Sequence, residues 1–166
     1  GGMLRLAKQA GPEIARYYTF TGDALKANQL RELGIAASVI DFSNLEPEAK
    51  KLAAEGLPDK YRKREIPDSF TPLAALCTRE NAEKLLNGET PGDADPELAA
   101  KTVSKVKKKA PLALKYADEI IELSAGAEIE KGVKIELERL ADIFSTKDCL
   151  EGLTSAGRKK PEFTGE

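Results

Sequence analysis

Ile129, Val133, Leu137, Leu140 and Phe144 recur at spacings of four, four, three and four within "AEIEKGVKIELERLADIF". That spacing predicts one long amphipathic helix over 128–144, with an apolar stripe on one side and charges on the other. A chain that commits so many residues to one helix needs further helices to cover it, and the remaining signals supply them. "GPEIARYYTF" puts Pro12 in a first turn with Glu13 beside the helix dipole. "TGDALKANQLRELGIA" offers Asp23 as an N-cap, Leu25, Leu30 and Leu33 near one face, and Gly34 as the stop. "NLEPEAKKLAAEG" begins with Pro47 in its first turn and ends at Gly56, and "TRENAEKLLNG" is framed by Thr78 and Gly88. "PELAAKTVSKVKKKA" leads into "PLALKYADEIIEL", with Pro111 restarting the pattern, and "TKDCLEGLTSAG" forms a short helix capped by Thr146. Only "IAASVI" is short and apolar enough to suggest a strand or an extended segment.

The expected fold class is therefore mainly α, with at most one or two short strands. The core has to be aliphatic, because apolar residues make up 41% of the chain while aromatics make up only 5% and tryptophan is absent. The 166 residues suit a single helical domain over 1–166. An irregular acidic excursion interrupts it at 65–98, where Pro67, Pro72, Pro91, Gly92 and Pro96 punctuate the chain. "PDSFTPLAAL" carries too much apolar surface for that stretch to be a free linker.

Charge argues against a nucleic-acid partner. The net charge is −2, set by the excursion, which carries two basic residues against eight acidic ones. No run approaches the length of a membrane span and no signal-peptide pattern is present, so the expectation is a cytoplasmic protein without a membrane partner. Cys77 and Cys149 form no C-x-x-C pair and read as small core residues, giving no reason to expect a metal. Histidine is absent, which excludes Ser-His-Asp and Cys-His constellations.

Few side chains suggest chemistry. Lys107–Lys109 reads as a solvated helix C-terminus, where cations offset the dipole, and "YRKRE" at 61–65 as a surface loop. Glu136 with Glu138, and Asp118 with Glu119, are too close in sequence to face one another on a helix, so neither is a carboxylate dyad. No catalytic residue is assigned. The terminal "RKKPEFTG" remains, with an aromatic framed between proline and glycine behind three basic residues.

Three stretches together resemble the C-terminal half of the crotonase (enoyl-CoA hydratase/isomerase) family. "GGMLRLAKQAG" is similar to the family's G-G-x-x-R-L-x-x-x-x-G segment. "YYTFTGDALKANQLRELGIAASVI" resembles its T-G-x-x-x-x-A-x-x-A-x-x-x-G-L-V-x-x-V stretch. The tail from Phe144 resembles F-x-T-x-D-x-x-E-G-x-x-A-F-x-x-K-R-x-P-x-F-x-G, and "KKAPLALKYADEII" looks like the family helix between the second and third stretches. Leu30, Met3 and "SAGRKKP" depart from the pattern. The longer 65–98 region, with "RENAEKLLNG", looks more like the crotonase part of prokaryotic fusions with an NAD-dependent 3-hydroxyacyl-CoA dehydrogenase.

The resemblance implies a segment of a β-oxidation enzyme acting on acyl-CoA thioesters, with NAD entering only through a fused dehydrogenase. The family's oxyanion hole and glutamates lie upstream of the segment matching Gly1–Gly2, so this chain alone is expected to be inactive. It would cover the acyl-CoA site, contact the N-terminal crotonase half and form trimer-type homo-oligomers. Gly1–Gly2 could instead be an added leader before a start at Met3. Lys159, Lys160 and Phe163 are implied at the phosphate and adenine end of coenzyme A, with a solvated tail and Phe163 packed on its own domain as the plainer reading. A non-catalytic helical interaction module is the alternative from another class.

Overall fold

A computed structural model describes residues 1–56 and 65–166. The described residues are mainly helical, and no strand occurs among them. The elements are α1 (Gly2–Ala10), α2 (Pro12–Thr21), α3 (Ala27–Glu32), α4 (Leu45–Glu55), α5 (Thr71–Leu76), α6 (Arg79–Leu86), α7 (Pro96–Val106), α8 (Pro111–Ala125), α9 (Ile129–Glu138), α10 (Leu140–Phe144) and α11 (Lys147–Ser155). Two 3₁₀ turns, Phe42–Asn44 and Asp68–Phe70, lead into α4 and α5.

Helix α2 is the centre. It packs on α1, α5, α7 and α8, so residues facing every direction are buried, from Ile14 through Arg16 to Phe20. The main core joins Ile14 and Phe20 to Leu76 and Cys77, to Leu85 of α6, to Val103 and Val106 of α7, and to Leu114 of α8. A smaller cluster of Ala7, Ala15 and Ile121 seals α1 against α2 and α8. The 65–98 excursion is thus built into the core through Phe70, Leu76, Ala82 and Leu85, as its apolar content required.

Capping accounts for three helix starts. Thr78 Oγ1 accepts from Asn81 N–H at 3.2 Å, Asp95 Oδ1 from Leu98 N–H at 2.7 Å, and Thr146 Oγ1 from Cys149 N–H at 3.1 Å. Asp23 does not cap the next helix. Its carboxylate takes Lys105 Nζ at 2.6 and 2.8 Å and the Tyr17 hydroxyl at 3.2 Å. The helix begins later, at Ala27 of α3, where Gln29 Oε1 receives the Lys26 N–H at 2.9 Å. The "IAASVI" segment forms no strand; Ile35 and Ala36 donate back to the Leu30 carbonyl at 2.8 and 3.0 Å, closing the end of α3.

The predicted helix over 128–144 divides at Arg139, which separates α9 from α10 and pairs with Glu119 of α8 at 3.1 Å. More surprising is the face that packs. Gly132 and Glu136 are the buried residues of α9, whereas Ile129, Leu137, Leu140 and Phe144 are between 43% and 64% exposed. Gly132 meets α1 directly, and Glu136 Oε1 accepts the Leu4 N–H at 2.8 Å. The lysine run also acts away from its own helix. Lys109 Nζ lies over Gly22, at the C-terminus of α2, and Lys107 crosses Gly88 just beyond α6. Both glycines are left-handed, with φ of 71° and 76°, and each end gains a nearby cation.

Candidate functional site

The tail beyond α11 is an ordered strap. Gly157, at φ 70°, reverses the chain, and the Arg158 and Lys159 N–H groups both donate to the Ser155 carbonyl, at 2.9 and 3.1 Å. The chain then runs back along α11 in extended conformation, with no helix or strand to satisfy its main chain. Two carboxylates three residues apart on α11 supply the acceptors. Glu151 Oε1 receives the Glu162 N–H at 3.2 Å, and Asp148 receives the Thr164 and Gly165 N–H groups at 2.7 and 2.9 Å. The Asp148 N–H in turn donates to the Glu166 carbonyl at 3.1 Å, and Lys147 pairs with the Glu166 carboxylate.

Phe163 is half-buried on α11. A Cβ placed on Gly152 would touch its ring at 3.5 Å, so the glycine leaves the helix backbone as the floor under the aromatic. Lys159 is not free: its Nζ pairs with Glu151 Oε1 at 2.9 Å. That oxygen also accepts the Ser155 hydroxyl at 2.8 Å. The Lys159 bond first, then those from Ser155 and the Glu162 N–H, hold the Glu151 carboxyl below the usual carboxylate range. Lys160 is exposed and makes no ion pair among the described residues. The three residues expected at a ligand therefore share one strap in different states: Lys159 paired, Lys160 open, and Phe163 packed on Gly152.

An open cavity of about 470 Å³ lies between strap and helix, lined by Lys147, Asp148, Leu150, Glu151, Thr154, Glu162 and Thr164, with Lys147 itself paired to Glu166. Its three carboxylates outnumber that one paired lysine, which leaves the basic turn at 158–160 as the more anion-facing side. Asp148, Glu151 and Gly152 were not singled out from sequence as site residues, although their D-x-x-E-G spacing stood in the tail motif.

The remaining sequence candidates fall elsewhere. Cys77 is fully buried and its thiol is pushed up to about 12, chiefly by burial, so it is inert packing. Asp118 turns inward to Arg16 while Glu119 pairs with Arg139, and Glu136 faces α1 while Glu138 is exposed. Neither pair forms a dyad. Residues 61–64 of the basic knot lie outside the described residues. Among the described residues, no cluster of Cys, Asp or Glu could hold a metal ion, and no helix is long and apolar enough to cross a membrane.

Comparison with known proteins agrees with the family resemblance. No solved structure matches the chain. A "Short-chain-enoyl-CoA hydratase" from Clostridioides difficile is 25% identical over 155 residues, covering 93% of this chain and 68% of that protein. The profile of the enoyl-CoA hydratase/isomerase family matches residues 1–164. With that match running from the first helix to Thr164 in the strap, the chain belongs to the enoyl-CoA hydratase/isomerase family.

Proposed function

We propose that this chain is the helical portion of an enzyme acting on acyl-CoA thioesters, and that its strap forms the coenzyme A side of the site. The observation that carries the reading is the strap itself, which brings a basic turn and an aromatic ring together on one short helix. Lys160 offers an unpaired ammonium to a phosphate, Lys159 a second that is shared with Glu151, and Phe163 a ring edge or face to the adenine. The oxyanion hole and proton-moving glutamates of the family reaction belong, on this reading, to an N-terminal crotonase half rather than to these residues. A fused dehydrogenase using NAD is a further part of it, resting on the length and the "RENAEKLLNG" sequence of the 65–98 region. A cytoplasmic setting goes with the same reading.

Calorimetric titration of coenzyme A into the full chain tests the assignment. Heat that falls when Lys160 and Phe163 are replaced by alanine is the expected result; no heat with the wild type would sink it. A second reading, a non-catalytic helical interaction module, is favoured by the exposed stripe of α9 and α10. That stripe suits the N-terminal half or a neighbouring copy in a trimer-type assembly.

A further inference from the structure

Asp148 is a nearly buried carboxylate, 3% exposed, with no cation paired to it among the described residues. A buried anion of this kind carries a desolvation cost that an apolar residue would avoid. What offsets it is a set of directed bonds: Thr164 N–H on one oxygen, with the Thr164 hydroxyl at 3.5 Å, and Gly165 N–H on the other. One turn along α11, Glu151 repeats the arrangement with the Glu162 N–H. Both acceptors grip main-chain donors, alongside the Lys159, Ser155 and Thr164 side chains, so they fix the course of the strap.

The anchors bracket the residues assigned to coenzyme A. Phe163 lies between the Glu162 and Thr164 contacts, and Lys160 between the Lys159 and Glu162 contacts. Sliding the strap by one residue would carry Phe163 off Gly152 and change the offset of Lys160 from α11. Resting on the acyl-CoA reading above, we infer that Asp148 and Glu151 are positioning residues: by holding the main chain at 162, 164 and 165 they set the spacing of Lys160 and Phe163 for coenzyme A. They act through the strap and touch no ligand themselves.

Two measurements on the full chain test this together: amide hydrogen exchange at 162–165 and calorimetric affinity for coenzyme A. Asp148→Ala and Glu151→Ala should speed exchange and weaken binding, each by at least about tenfold, the size expected for lost charge-assisted bonds. Glu151→Gln keeps an acceptor oxygen for Glu162 and Ser155 while releasing Lys159, and should bind nearly as the wild type does. Affinity unchanged in alanine variants whose amides exchange freely would overturn the inference alone. So would slow exchange in those variants, or an E151Q loss as large as that of E151A, which would move the role to the Lys159 ion pair. Wild-type protein that gives no heat with coenzyme A would remove the acyl-CoA reading, and this inference with it.

Discussion

Leu4 presses on Gly132 so closely that a Cβ built on the glycine would lie 2.5 Å from Leu4 Cδ1. Leu4 is fully buried and has nowhere to retreat, so this contact fixes how near α9 lies to α1. Gly132→Ala gains helix propensity, up to about 1 kcal/mol. Overpacking at such a site costs about 1–3 kcal/mol. The second effect outweighs the first, and urea unfolding should show a net loss of about 1 kcal/mol, at the middle of these ranges. A midpoint at or above the wild type would mean that α9 shifts freely on α1.

Arg16 poses a different kind of test. Its side chain is 1% exposed and held by Asp118 at 2.6 Å and Glu122 at 2.5 Å, whereas the two carboxylates reach solvent at 27% and 36%. Replacing the cation leaves anions that water can serve; replacing the anions strands a buried cation. Asp118→Asn combined with Glu122→Gln should therefore destabilise by about 3 kcal/mol or more. Arg16→Leu should cost clearly less in the same unfolding assay.

Two groups give opposite pH dependence. Asp23 is held below its ordinary value, first by its bond with Lys105, so its contribution is present above the unfolded carboxylate pKa and lost as pH falls through the lower folded one. Lys105→Met should flatten the acid limb of a stability–pH curve, by a small amount because both partners are partly exposed. Tyr17 is pushed up to about 12, chiefly by burial. Its folded phenol keeps its proton while an unfolded one would ionise near 10, so stability is intact below that and drains away toward 12. Spectroscopic titration of the phenols should lose a late step in Tyr17→Phe.

The exposed stripe predicts association. Leu137→Glu and Phe144→Glu alter residues that are 58% and 64% exposed, so the folded chain should keep its melting temperature within a degree or two, as surface changes do. Size-exclusion or sedimentation should show a smaller species than the wild type if the stripe is an assembly face. Equal sizes would leave the stripe without a partner of its own kind.

Sequence periodicity located most of these helices, though not α1 or α5, because helix starts and stops are local. The caps at Thr78 and Thr146 and the breaks at Pro111 and Gly34 need only neighbouring residues to act. It misjudged which side of α9 is packed, since Gly132 and Glu136 are buried for reasons held by α1: Leu4 fills the glycine's space, and the Leu4 N–H needs a carboxylate. Asp23 failed as a cap for the same reason, its acceptors being claimed by Lys105 from far along the chain. In the tail, the basic residues and Phe163 stood out by composition. The acceptors that order them, Asp148 and Glu151, looked like ordinary helix-surface acids until the chain was seen to double back.

That doubling back sets a boundary within the chain. Beyond the turn at Gly157, the bonds tying the strap to α11 span between 8 and 19 residues, and α11 itself leans mainly on α10 rather than on the α1–α2–α8 centre. Loops this short close quickly and at small entropic cost. The C-terminal 20 residues thus close their bonds mostly among themselves, a short-range unit that meets α8 where Gly165 lies against Pro111.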